Sequence, residues 1–116
     1  MDEETTIGQL MRRVCEFRDE RDWKQFHDPK NLSCSIAIEA AELMEHFQWL
    51  RTDQLAAVRD DPEAMVQIRE ELADIMAYVV SFASTMNIDI SSALADKMKK
   101  NAVKYPAETY QGKFKV

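Results

Sequence analysis

The feature that most constrains the fold is a hydrophobic repeat in the second half of the chain. Apolar residues recur at alternating steps of three and four: Met65, Ile68, Leu72, Ile75, Val79, Phe82 and Met86. This spacing places all seven side chains along one face of a helix. Asp61-Pro62-Glu63, immediately before the repeat, is typical of a helix start. We therefore predict a helix over residues 62–86.

This predicted helix has a consequence for assembly. At 1.5 Å per residue it is about 37 Å long, whereas a compact chain of this length has a radius of gyration near 13 Å. The helix would span or overrun such a domain. Extensive apolar helix faces on a small chain predict self-association into a shared bundle, a dimer or a tetramer.

Helical periodicity extends through the rest of the chain. We predict helices over 5–21, with Thr6 and Gln9 as a capping box, over 32–50, capped by Asn31, and from Ser91 to just before Tyr105-Pro106. Residues 22–30 form an irregular loop, and 52–60 a short helix or turn. The expected fold is all-α: a four- to five-helix bundle, with residues 1–106 as one domain and 107–116 as a polar C-terminal tail.

Composition excludes several other classes of protein. Two glycines and three prolines among 116 residues are too few for the turns of an all-β domain or for a glycine-rich phosphate loop. The net charge of −6 argues against a general nucleic-acid partner. The acidic N-terminus shows no signal peptide, and no apolar run reaches the roughly 18 residues of a membrane span. We expect a cytoplasmic protein with no membrane partner.

Carboxylates occupy positions where apolar residues are expected. Glu39 lies within the apolar stripe of the second predicted helix, and Glu42 lies on its shoulder. Glu71 and Asp74, three residues apart, follow the shoulder of the 65–86 repeat. If the two helices pack antiparallel, the four carboxylates converge. Such a set of oxygen ligands suits Mg²⁺ or Mn²⁺; the alternative is that these are ordinary surface acids.

A di-iron bundle is the rival interpretation of acidic helices. It requires two Glu-x-x-His motifs. The residues three positions after Glu39, Glu42 and Glu71 are all acidic, and the chain has two histidines in total. The sequence therefore disfavours di-iron chemistry.

The spacing of the four acids also resembles that of a known protein family. Glu39-x-x-Glu42, 28 intervening residues and Glu71-x-x-Asp74 resemble the signature of the MazG-like all-α nucleoside triphosphate pyrophosphohydrolases. The neighbouring segments are similar to the dCTP pyrophosphatase branch: Arg21–His27, Pro29–Leu32, Phe47-Gln48-Trp49, Glu70–Ile75 and Lys97–Pro106. The resemblance covers roughly residues 7–106. Two positions depart from it: Val14 replaces a histidine that faces the base in animal dCTP enzymes, and Ile38 replaces a second acid before Glu39.

The resemblance implies a role for several residues. The metal ligands would be Glu39, Glu42, Glu71 and Asp74. The base pocket would be lined by Trp23 and Trp49, and the sugar and phosphates would lie near Tyr78, Lys97, Asn101 and Tyr105. His27, in the loop, is either a structural hydrogen-bonding group or a substrate contact.

The expected activity is Mg²⁺-dependent hydrolysis of nucleoside triphosphates, dCTP or related dNTPs first, to monophosphate and pyrophosphate, which would cleanse the nucleotide pool. Such hydrolysis needs charge neutralisation on the phosphates and a positioned water. Either Glu39 or Glu42 can accept the proton of that water. The alternative is a catalytically silent helical module that binds nucleotide or another protein.

Overall fold

The structure is a computed structural model that describes residues 1–114. Within that range the chain is all-helical, as predicted, with no strand. The α-helices are α1 (Ile7–Glu20), α2 (Pro29–Glu45), α3 (Leu55–Val58), α4 (Pro62–Thr85), α5 (Ile90–Lys104) and α6 (Ala107–Tyr110). Short 3₁₀ turns cover Lys24–Phe26 and Thr52–Gln54. The predicted polar tail contains α6, and its residues 115–116 lie outside the described range.

Local sequence signals account for most helix ends. The Thr6 hydroxyl accepts from the Gln9 amide at 3.1 Å, and the Gln9 side chain accepts from the Thr6 amide at 2.8 Å, which is the predicted capping box. Asp61 caps α4 by accepting from the Glu63 and Ala64 amides. Asn87, just after the end of α4, adopts a left-handed conformation with φ of 54°, which is a common way for a helix to end.

The predicted bounds of the second helix were wrong at both ends. Asp28, rather than Asn31, caps α2: its Oδ1 accepts from the Asn31 amide at 2.8 Å, and Pro29 occupies the first turn, where its fixed φ suits a helix. The helix ends at Glu45 rather than Leu50, because the His46 and Phe47 amides bond carbonyls three residues back. The apolar pattern runs on through this tightened turn and cannot mark it.

Helix α4 is the centre of the packing, and α1 and α2 lie against it. The end of α2 meets the start of α4 around a cavity lined by His46, Leu50, Asp61 and Ile68, among others, so the two helices are antiparallel as expected. The buried apolar residues are Leu32, Val80 and Ala83. Leu72 and Met86 of the repeat are instead exposed, because α4 turns its buried face toward two helices rather than along one seam.

The single chain leaves much of its surface uncovered. Its radius of gyration is 17.4 Å, against roughly 13 Å for a compact chain of this length. Its accessible surface is 9542 Å², whereas a compact monomer of 13.5 kDa exposes about 6,500 Å². Apolar side chains account for part of this surface, including Ile38, Val66, Leu72, Leu94 and Met98.

Helix α5 contributes least to the packed core, since nearly all of its residues are exposed. Among the described helices, none is both long enough and apolar enough to cross a membrane.

Candidate metal centre and adjoining aromatic cavity

The antiparallel packing of α2 and α4 brings predicted acidic residues together at the middle of both helices. Carboxylate oxygens of Glu39, Glu42 and Glu71 all lie within 4.8 Å of one another. Asp74, about one turn further along α4, is not part of this group of three. Its charge nevertheless contributes to raising the pKa of both Glu39 and Glu71. The four acids therefore interact electrostatically.

Burial and crowding change the protonation of the acidic cluster, by which we mean Glu39, Glu42, Glu71 and Asp74. Removal from water, followed by the neighbouring Glu42 carboxyl, raises the pKa of Glu39 from 4.5 to about 7. The same causes, in the same order, raise the pKa of Glu71. Both effects disfavour the charged form of a carboxyl group. The cluster therefore retains protons near neutral pH that isolated carboxyls would have lost.

Two carboxylate oxygens in this cluster are buried without a hydrogen-bond partner. Oε2 of Glu39 and Oε2 of Glu71 have no hydrogen-bond partner within the described chain. Burying unpaired carboxylate oxygens is costly unless a cation or a donor takes up their charge. Converging oxygen donors of this kind suit a hard divalent cation. The cluster can therefore bind a metal ion, and its residues fit that role.

Aromatic rings enclose a cavity beside the acids. Trp23 lies 5.7 Å from Phe17 and 6.5 Å from His27, and His27 lies 6.4 Å from Tyr78, between ring centroids. These four residues line a cavity of about 150 Å³, and Asp74 forms part of its wall. The cavity thus adjoins the acidic cluster through Asp74. Three of the predicted substrate-binding residues, Trp23, His27 and Tyr78, meet here.

Sequence reasoning missed two polar residues of this cavity. Arg18 on α1 and Ser81 on α4 both line it, and they are only 6% and 2% exposed. A signal for Arg18 was present, since it follows Val14 by four residues and so lies on the apolar face of α1. A charged residue on an apolar helix face is as informative there as Glu39 is on α2.

Other predicted substrate-binding residues lie apart from the cavity in the single chain. Trp49 follows the end of α2 and is 85% exposed. Lys97 and Asn101 lie on α5, and Tyr105 caps its end. The Tyr105 ring packs edge-on against Tyr110 at 5.2 Å. The roles of these four residues stay predictions.

An all-helical chain with converging carboxylates between antiparallel helices, next to an aromatic cavity, defines an α-helical protein with an acidic, metal-type centre. Comparison with known proteins identifies the family within this class. A model of the MazG-like family matches residues 34–114. The chain belongs to the MazG-like family.

Curated relatives include dCTP pyrophosphatase 1 of Mus musculus, 35% identical over 109 residues, and dCTP pyrophosphatase 1 of Homo sapiens, 36% identical over 104 residues. The aligned regions cover 94% and 90% of this chain, respectively. They span 64% of the mouse protein and 61% of the human protein, so this chain matches under two thirds of each relative.

A solved structure is similar over most of its length. The crystal structure of a pyrophosphatase from Archaeoglobus fulgidus superposes with a TM-score of 0.80 at 40% sequence identity. The match covers 86% of this chain and 92% of that one. The helical arrangement described above is therefore that of a known pyrophosphatase structure.

Proposed function

We propose that this protein is an Mg²⁺-dependent pyrophosphohydrolase of deoxynucleoside triphosphates, with dCTP or a related dNTP as substrate. The products would be the monophosphate and pyrophosphate, and the role would be cleansing of the nucleotide pool in the cytoplasm. One observation carries this proposal: buried, unpartnered oxygens of Glu39 and Glu71 lie in an acidic cluster beside an aromatic cavity. The names of the relatives support the same reaction.

In this proposal Glu39, Glu42, Glu71 and Asp74 hold Mg²⁺, with Mn²⁺ as a possible substitute. When bound, such an ion supplies charge neutralisation for phosphate oxygens and a more acidic water. The carboxylates themselves position the triphosphate end of the substrate through the ion they hold. Glu39 and Glu42 are the two candidates for accepting the proton of the attacking water.

The adjoining cavity gives the base a place to bind. Asp74 interacts electrostatically with Glu39 and Glu71 and forms part of the cavity wall. A nucleotide with its phosphates at the acids can therefore direct its base toward Trp23 and Tyr78. Aromatic faces stack on bases with about 1–3 kcal/mol per base. His27, with a buried Nδ1 that lacks a partner in the described chain, is positioned to contact the substrate.

We further propose that the active protein is a homo-oligomer. The single chain exposes about 3,000 Å² more than a compact monomer would, an amount that suits an obligate interface. Trp49, Lys97, Asn101 and Tyr105 are predicted substrate contacts that lie away from the cavity within one chain. A second copy offers a way to complete the site with them. With a net charge of −6, we expect no nucleic-acid partner.

The test is pyrophosphate release from a panel of dNTPs and NTPs, with Mg²⁺ and with EDTA. We expect equimolar monophosphate and pyrophosphate from the preferred dNTP, and no release in EDTA. Binding of nucleotide without release under any metal condition would contradict the proposal and favour a silent binding module.

A further inference from the structure

One charged group in the aromatic cavity has no role in the acidic cluster. Arg18 is 6% exposed, and a guanidinium stays charged at any ordinary pH. Its Nε donates to Asp19 Oδ1 at 2.9 Å, and Asp19 is itself 56% exposed. Among residues 1–114, Asp19 is the only acceptor bonded to this guanidinium.

This arrangement leaves the two terminal NH₂ groups of Arg18 without a protein acceptor. Neither terminal nitrogen is a fully buried atom without a partner, so both keep some access to solvent and can donate to a ligand. Arg18 borders a second cavity as well, which Lys24 and Asp28 also line. In the aromatic cavity, Arg18 lies with the Asp74 carboxylate, the His27 imidazole and three aromatic rings. Of the two cavities, the aromatic one has the ring-lined walls that suit a base, so we expect a ligand there to accept from the terminal NH₂ groups.

We propose that Arg18 is the specificity-determining residue of this site and that it reads the O2 and N3 edge of cytosine. The proposal rests on the proposed function, because that function places a base in the cavity. A guanidinium end presents two parallel donors, which match two adjacent acceptors on a base edge. Cytosine offers such a pair in O2 and N3, whereas uracil and thymine carry N3–H, a donor, at the same place.

Ser81 supplies the complementary group. Its hydroxyl donates to the Ala77 carbonyl at 2.8 Å, so its oxygen lone pairs remain available to accept. The exocyclic amino group of cytosine needs an acceptor next to N3, whereas the O4 of uracil needs a donor. Guanine also has two adjacent acceptors, O6 and N7, but a cavity of about 150 Å³ favours a single ring.

The experiment is titration calorimetry with dCMP and with dUMP in Mg²⁺, which requires no turnover. Each ligand is titrated into wild type, Arg18→Met, Arg18→Lys and Arg12→Met. We expect wild type to favour dCMP by roughly tenfold to a hundredfold, the range that a bidentate base contact gives. Arg18→Met should bring the two affinities within about threefold. Arg18→Lys keeps the charge but loses the fork, so it should lose most of the preference too.

Arg12→Met is the matched control, because Arg12 is an exposed cation on the same helix, and it should keep the wild-type preference. Near-UV circular dichroism establishes that each variant is folded. Equal binding of the two nucleotides by wild type, no binding of either, or an unchanged preference in folded Arg18→Met would overturn the proposal. An equal loss of affinity for both nucleotides in Arg18→Met would assign Arg18 to phosphate binding or to structure, and would overturn the proposal as well.

The proposed function fails separately. If dCMP is preferred through Arg18 but no dNTP releases pyrophosphate, the base-reading role stands and the hydrolase does not.

Discussion

Glu39 on α2 and Glu71 on α4 each bury one carboxylate oxygen without a partner in the described chain, and oxygens of the two residues lie within 4.8 Å of each other. Two carboxylates this close cannot both be charged cheaply, so one or both retain protons. The metal-free cluster is therefore a point of repulsion within the fold. Binding a cation would remove that repulsion, and this links metal, protons and stability.

Glu39→Gln should separate function from stability. Removing one repelling carboxylate relieves the cluster, so the metal-free variant should melt at the same temperature as wild type or higher at pH 8. Loss of a metal ligand should lower kcat/KM by about a hundredfold or more. Pyrophosphate release and differential scanning calorimetry measure the two effects.

Glu45→Gln is the control for this variant, since Glu45 is an exposed acid at the end of the same helix outside the cluster. It should keep wild-type turnover. Turnover near the wild-type rate in Glu39→Gln would remove Glu39 from the metal site.

Stability of the metal-free protein should fall as pH rises toward and through 7. The folded pKa of Glu39 is about 7 against an ordinary 4.5, so the folded state holds more protons than the unfolded state between these values. The resulting stabilisation is fully present below 4.5 and is lost as pH rises through about 7. Melting temperatures in EDTA at pH 5.5 and 8.5 test this. In Glu39→Gln the melting temperature should depend less on pH. An equal change of melting temperature with pH in both proteins would contradict this prediction.

Mg²⁺ binding should release protons for the same reason. A metal ligand must be deprotonated, and at pH 6 Glu39 is mostly protonated in the free protein. We expect about one proton released per ion at pH 6 and almost none at pH 8.5. Calorimetry in buffers of different ionisation enthalpy counts these protons. Release that does not depend on pH would mean that the metal binds elsewhere.

The acidic cluster shows what a sequence pattern can predict. Helix periodicity fixes the direction of each side chain, so Glu39 on an apolar stripe had to face a neighbouring helix. The matching spacing of Glu71 and Asp74 then made antiparallel packing the arrangement that brings the acids together. The structure has that packing, although Asp74 lies outside the group of three whose oxygens lie within 4.8 Å.

The aromatic cavity shows where prediction stops. Trp23 and His27 reach Tyr78 only because the loop before α2 folds back, with Asp22 at a φ of 52° and a 3₁₀ turn over Lys24–Phe26. Neither the left-handed residue nor the 3₁₀ turn produces a periodic pattern of apolar residues in the sequence. The exposure of Leu72 in the 65–86 repeat likewise depends on which helices pack against α4. The spacing of apolar residues along one helix does not predict those neighbours.

Light scattering should show a species of at least twice 13.5 kDa at micromolar concentration. Leu94 and Met98, four residues apart on α5, are 60% and 56% exposed, and they give α5 an uncovered apolar stripe. Leu94→Glu should shift the protein toward monomer, whereas Ala95→Glu, at an adjacent exposed position, should not. An active, monodisperse wild-type monomer would contradict the shared bundle.

Trp49 gives a sharp test of the predicted base contacts, because its exposure separates binding from folding. Truncating a buried tryptophan costs about 3–5 kcal/mol of stability, but Trp49 is 85% exposed. We therefore expect Trp49→Ala to leave the melting temperature nearly unchanged. If the indole stacks on the base, its loss should raise KM for the best dNTP by roughly tenfold to a hundredfold.

The ion should be unaffected by this substitution, so the Mg²⁺ dependence of Trp49→Ala should match that of wild type. Trp49→Phe keeps an aromatic face and should recover part of the lost affinity. Because Trp49 lies apart from the cavity within one chain, the effect on KM should also vanish in the monomeric Leu94→Glu background if a second copy supplies the indole. An unchanged KM in Trp49→Ala, with the oligomer intact, would show that Trp49 does not contact the base.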